Sequence, residues 1–188
     1  MSVSGPTGAA GDLGARIVEA ALLRGHFVLR SGQTSSVYLD KYRFETRPDL
    51  LGPIGRAMAD AAVAGTPPDR LAAPALGGVA LAAAAALACG LSFVIVREAA
   101  KGYGTANRLE GTYAAGERVV VLEDVVTTGG AALEAVEALR EAGLTVDRCV
   151  CVLDREQGGS DRFAAAGVDL VPLFTASGLG IDTASRPG

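Results

Sequence analysis

The chain has 188 residues, of which 49% are hydrophobic, 20% charged and only 5% aromatic, and it carries a formal net charge of −4. That length suits one ordinary domain with a core of its own, and the apolar share excludes a disordered chain. The negative balance argues against a general nucleic-acid or membrane-surface binder, which would select basic faces, but leaves room for a small anion held by local donors.

With few aromatics and no Trp, the core must be built from Ala, Val and Leu, which favours helices packed on a parallel sheet. Residues 1–10 read as a flexible leader, with neither the basic start nor the apolar core of a signal segment. Residues 13–24 place Leu13, Ile17, Ala20 and Ala21 at helical spacing. Residues 27–29 and 37–39 are short extended runs around the turn-like stretch 31–36, and predict a small β-hairpin. Residues 48–64 predict a helix, with Thr46 or Arg47 near its cap and Pro48 at a tolerated early position.

A strand–helix rhythm follows. Residues 71–75 are a short apolar run, 79–89 a helix and 93–96 a strand. Residues 119–122 form a strongly β-branched strand, and 130–142 a helix whose Ala132, Leu133, Val136 and Leu139 share a face, closed by Gly143 as a left-handed cap. Residues 149–153 read as a strand, 162–166 as a short helix and 168–173 as a last strand. Such alternation predicts a doubly wound, mainly parallel sheet with ligands beyond the carboxyl ends of its strands. The most apolar stretch, around residues 77–90, is too short and small-sided to span a membrane, so the chain is expected in the cytoplasm. Cys89, Cys149 and Cys151 lack metal-type spacing and read as buried free thiols, with Cys149 and Cys151 on one face of a strand.

The segment 119–131, VVVLEDVVTTGGA, concentrates the chemistry. A strand leads through Glu123 and Asp124, then Val125 and Val126, into Thr127-Thr128-Gly129-Gly130-Ala131 and a helix. Free backbone N–H groups and the helix dipole at such a turn favour an anion, and the glycines let the backbone close around a phosphate. Two carboxylates beside it would repel a bare phosphate, so they imply sugar hydroxyls, a divalent cation, or both. A phosphate nest next to a diol clamp describes a ribose 5-phosphate site.

The stretch LEDVVTTGGAALEA resembles the diphosphate-sugar signature of the type I phosphoribosyltransferases. Those enzymes bind 5-phosphoribosyl 1-diphosphate (PRPP) with magnesium and displace its pyrophosphate with a nitrogenous base. The resemblance implies that Glu123 and Asp124 hold the ribose hydroxyls and that residues 127–131 hold the 5-phosphate. It also implies the family's fold, with residues 11–188 as a single domain whose small hood comes mainly from 11–45 and the C-terminal segment.

Three further stretches resemble the orotate phosphoribosyltransferases within that family. FVLRSGQTSSVYLD, residues 27–40, is similar to their N-terminal segment; it implies that Arg30 contacts the ligands and that Tyr38 and Leu39 lie against the orotate ring. REAAKGYG, residues 97–104, resembles their mobile catalytic loop, with Arg97, Lys101 and Tyr103 at its basic, catalytic-lysine and aromatic positions. Glu98 departs from the pattern, where a second basic residue is usual. Leu153-Asp154-Arg155 resembles a strand-end triplet whose arginine takes part in orotate recognition; an Asp–Arg pair there could also be a local ion pair. PALGGV, residues 74–79, matches a loop that approaches the pyrophosphate, so Gly77 joins the PRPP residues through backbone N–H groups rather than a lysine. His26, the only histidine, reads as structural.

The resemblance implies transfer of phosphoribose from PRPP to N1 of orotate, giving orotidine 5′-monophosphate for pyrimidine synthesis. Lys101 and Asp124 are the expected catalytic residues, with Thr127 and Arg155 on the orotate. Magnesium is expected to be held mainly through PRPP rather than by a metal site of the protein. A homodimer sharing the mobile loop is expected. A phosphoribosyltransferase for another base and a non-catalytic PRPP-binding regulator remain the alternatives.

Overall fold

The structure is a computed structural model that describes residues 9–28, 34–98 and 108–181. Helix α1 (Ala9–Ala21) buries Leu13, Ile17 and Ala21, one residue per turn along a single stripe. It begins inside the expected 1–10 leader, of which residues 1–8 lie outside the described residues. It also ends three residues earlier than its periodicity suggests. Leu22, Leu23 and Arg24 pair with Leu39, Tyr38 and Val37, so strand β1 (Leu22–Val28) runs antiparallel to β2 (Thr34–Leu39). Short apolar runs suit helix and strand alike, and here the ladder to β2 decides. The register shifts between Arg24 and Phe27, a bulge at Gly25 and His26.

A four-residue helix, α2 (Tyr42–Glu45), leads into α3 (Pro48–Val63). Pro48 occupies the first turn, where its missing N–H costs nothing. Pro53 lies inside α3 and cannot bond back to Asp49, and the Arg16 guanidinium donates to the Asp49 carbonyl instead, at 2.7 Å. Gly55 lets α3 approach the next helix so closely that a Cβ there would lie 2.8 Å from the Ala84 carbonyl carbon.

The remaining elements are β3 (Arg70–Pro74), α4 (Gly77–Cys89), β4 (Phe93–Val96), β5 (Leu109–Glu110), β6 (Arg118–Val126), α5 (Gly130–Glu141), β7 (Thr145–Asp154), α6 (Gly159–Ala165) and β8 (Asp169–Thr175). The sheet order is β5-β4-β3-β6-β7-β8. Every neighbouring pair is parallel except β4 with the two-residue β5, which the periodicity did not predict. The fold is the doubly wound, mainly parallel sheet expected. Alternate residues of β6 and β7 enter two separate cores, as strands covered on both faces require. Val120, Leu122, Val150 and Val152 pack with Ile17, Leu50, Ile54 and Leu81, while Val119, Val121, Cys149 and Cys151 pack with Val136, Leu139 and Phe163. The last two cysteines therefore do share one face, as buried free thiols whose burial raises their pKa; Cys89 is only partly buried.

Ion pairs clamp the amino ends of the strands. Arg70 donates to both Glu117 carboxylate oxygens at 2.7 Å, and Arg118 pairs with Asp147. The opposite end is left to the site. There the chain winds outward from β3 to β4 on one side and from β6 to β7 and β8 on the other, so the crevice between the ends of β3 and β6 is the topological switch point.

Candidate active site

Strand β6 continues four residues beyond its expected end. Val125 and Val126 still pair with Leu153 and Asp154 of β7, so Glu123 and Asp124 belong to the strand rather than to the turn after it. Both are buried, at 8% and 2% exposure. Thr127 and Thr128 then lead to Gly129, whose φ of +75° a side chain rarely adopts, and whose Cβ would lie 2.7 Å from the Phe163 ring. Gly129 caps α5, which starts at Gly130. Glu123, Val125, Val126, Thr127, Gly129, Gly130 and Ala131 line one small cavity of about 60 Å³. The carboxylate and the turn thus share a pocket at the first turn of a helix.

Asp124 serves a different neighbourhood. Its Oδ1 accepts from the Val125 N–H, and its Oδ2 accepts from the Lys41 ammonium at 2.5 Å. Gly77 opens α4 directly against this pair, and a Cβ at Gly77 would overlap the Asp124 carboxylate. Gly77 is therefore a first-turn helical residue, one of those whose N–H has no partner within its helix. The Ala75–Leu76 peptide before it is cis.

Lys41 and Glu45 escaped the sequence reading. Glu45 is 3% exposed, and its Oε1 has no hydrogen-bond partner among the described residues. Burial first, and the nearby Asp124 second, push the carboxyls of both Glu45 and Glu123 up to about 8. Burial opposes the charge on Lys41, but the hydrogen bond and charge of Asp124 outweigh it and raise its pKa. The cluster therefore combines the Lys41–Asp124 salt bridge with two carboxyls that burial drives toward the protonated form.

This carries a consequence for stability. A carboxyl raised from 4.5 to about 8 on folding binds a proton more tightly in the folded state. Its contribution is fully present below 4.5 and is lost as pH rises toward 8. Glu45→Gln should therefore melt with a flatter pH dependence than the unsubstituted protein across that window. Parallel melting curves from pH 4.5 to 8 would contradict the assignment.

Across the crevice, Arg97 lines a cavity of about 340 Å³ together with Ala75, Glu98, Arg108, Gly130, Ala131 and Glu134. The backbone fixes its base, because the Arg97 N–H donates to Arg108 O at 2.8 Å and Arg108 Nε donates back to Arg97 O at 3.2 Å. Glu98 thus faces the same cavity as two arginines, one of which, Arg108, had no signal in the sequence. Arg30, Lys101 and Tyr103 lie outside the described residues.

Asp154 and Arg155 do not form an ion pair with each other. Asp154 Oδ1 instead accepts from the Glu156 N–H at 2.8 Å, tightening the turn, while the Arg155 N–H donates to Val126 O at 2.8 Å. These bonds hold Arg155 beside the cradle. Its half-buried guanidinium has no acceptor among the described residues, and burial lowers its pKa. In β2, Tyr38 and Leu39 leave the strand on opposite faces, as successive residues must. Tyr38 is 45% exposed and stacks at 5.5 Å on Phe27, while Leu39 packs inward beside Leu153 and Val125. The described residues gather no group of three or more His, Cys, Asp or Glu able to hold a metal. None of the described helices is long and apolar enough to cross a membrane.

The model of the phosphoribosyl transferase domain matches residues 47–170. The chain is 52% identical over 155 residues to the orotate phosphoribosyltransferase of Halobacterium salinarum, covering 82% of this chain and 87% of that one. Among solved structures it is similar to the orotate phosphoribosyltransferase of Mycobacterium tuberculosis, with TM-score 0.82 and 29% identity over 91% of this chain and 98% of that one. The same Mycobacterium enzyme in complex with PRPP matches with TM-score 0.77 at 26% identity, covering 91% and 98%.

Proposed function

The chain belongs to the phosphoribosyl transferase family and, within it, to the orotate phosphoribosyltransferases, and from that premise we propose how its residues divide the work. The reaction joins the 5-phosphoribosyl group of PRPP to N1 of orotate, releasing pyrophosphate and giving orotidine 5′-monophosphate. No covalent enzyme intermediate is needed, so catalysis is positioning and charge compensation around a transition state with oxocarbenium character.

In this reading, Thr127, Thr128, Gly129, Gly130 and Ala131 hold the 5-phosphate at the α5 terminus, Glu123 and Asp124 hold the ribose hydroxyls, and Val125 and Val126 border PRPP between them. The observation that carries it is a single cavity lined by both Glu123 and the 127–131 stretch, with the Arg155 backbone bonded to Val126 beside it and the Arg155 guanidinium without an acceptor among the described residues. Arg155 pairs with the orotate carboxylate in two-point fashion, Thr127 bonds the same base, and the strand backbone at Tyr38 and Leu39 borders it from the hairpin, which forms a hood with the C-terminal segment. Gly77, Arg97, Lys101 and Tyr103 receive the diphosphate, and Arg30 contacts PRPP from the hairpin.

Magnesium would be held mainly by the diphosphate rather than by side chains of the protein, and would supply charge neutralisation there. The protein acts in the cytoplasm as a homodimer, with the loop carrying Lys101 reaching into the neighbour's site. Loss of orotate absorbance in the presence of PRPP tests the reading. The signal should stop when magnesium is chelated and return when it is restored; turnover indifferent to chelation would contradict it.

A further inference from the structure

The turn that meets the diphosphate in this reading, Ala75-Leu76-Gly77-Gly78, carries no charged side chain of its own; Arg97 lines a cavity with Ala75 and Leu76, and Arg108 lines one with Ala75. One ammonium does reach the turn from elsewhere. Lys41 caps α2, and the first turn of that helix fixes its backbone: the Phe44 and Glu45 N–H groups both donate to Lys41 O at 3.1 Å. From there Lys41 Nζ spans the crevice to Asp124 and stands 2.6 Å from where a Cβ on Gly77 would be. It therefore sits at the amino end of α4, where the helix dipole disfavours a cation and favours an anion. The Asp124 carboxylate compensates that cost.

We propose that Lys41 is a PRPP-binding residue that turns from Asp124 to take a diphosphate oxygen at the Gly77 turn. This rests on the reading that PRPP occupies the cradle with its ribose at Asp124. The exchange is geometrically short. The Lys41 side chain is 35% exposed and can turn, whereas the Asp124 side chain is buried and fixed by the Val125 N–H. The arriving diphosphate brings the anion that a helix N-terminus and a lysine both favour. Lys41 so provides from the hairpin-to-helix junction the cation that the turn itself lacks.

A purely structural role, neutralising a buried carboxylate, makes different predictions, and two partial ligands separate them. Ribose 5-phosphate has the hydroxyls and the phosphate but no diphosphate; magnesium pyrophosphate has only the latter. Calorimetric titration of Lys41→Gln, which keeps a hydrogen-bond donor for Asp124, should show pyrophosphate affinity reduced about tenfold or more, with ribose 5-phosphate affinity within about threefold. Lys41→Arg should recover most of the pyrophosphate affinity. Equal losses for both ligands, or a lowered melting temperature with both affinities intact, would overturn the proposal. If Lys41→Gln does not fold, the Lys41→Gln/Asp124→Asn double variant, which leaves no carboxylate unpaired, is compared with Asp124→Asn alone: pyrophosphate affinity about tenfold or more below that of the single variant is expected, and equal affinities overturn the proposal. An unsubstituted protein that binds neither ligand would overturn the cradle reading, and the proposal with it.

Discussion

Replacing Lys101 by Ala is expected to lower kcat by about 10²–10³ while PRPP affinity falls only a few-fold, the pattern of a contact made mainly in the transition state. The reasoning is electrostatic. As the bond from the anomeric carbon to pyrophosphate breaks, negative charge collects on the leaving oxygen, and an ammonium held there gains strength in step with that charge. A ground-state contact would instead raise KM and leave kcat alone. Glu98 sharpens the expectation, because this chain has a carboxylate three residues before Lys101 where the family pattern has a second cation. With less positive charge in the loop, more of the compensation falls to Lys101. Unchanged kcat in single-turnover measurements of Lys101→Ala would remove it from the reaction.

Arg155→Ala is the second large effect. A two-point guanidinium–carboxylate contact in a half-buried site is worth about 1.5–3 kcal/mol, so the KM for orotate should rise roughly 10- to 150-fold. The KM for PRPP should stay within a few-fold, because the backbone bond from Arg155 to Val126 does not depend on its side chain. The absence of an Asp154–Arg155 ion pair matters here. Asp154 is occupied by the Glu156 N–H, so removing the Arg155 side chain leaves no buried carboxylate newly unpaired. A loss confined to PRPP would refute the assignment.

The cradle was legible because it is local. Phosphate-binding turns are written in consecutive residues, and Thr127 to Ala131 run from the end of a strand into the first turn of a helix. Arg155 was legible for the same reason, as the residue just past a strand end. Lys41 was not, since its meaning lies in a contact with a residue 83 positions away. Glu45 was equally silent: nothing in YRFE says that its glutamate is buried against Asp124. Element boundaries failed for physical reasons too. Leu22 and Leu23 suit either a helix or a strand, and only β2 across from them settles the choice. Glu123 and Asp124 looked like the end of β6 because they are charged, yet the ladder to β7 carries the strand past them to Val126. That extension aims Glu123 toward the phosphate turn and Asp124 toward Lys41 and Gly77, a division of two adjacent carboxylates that the motif alone does not show.

The measurement that tests the central claim most directly is a base panel. The purified protein is given PRPP and magnesium with orotate, uracil, adenine or hypoxanthine in parallel, and base consumption and pyrophosphate release are followed together. Orotate should be consumed with equimolar pyrophosphate, and the three bases lacking a carboxylate for Arg155 should react at least about tenfold more slowly in kcat/KM. Turnover of a purine faster than orotate, or no pyrophosphate release with any base, would contradict the account.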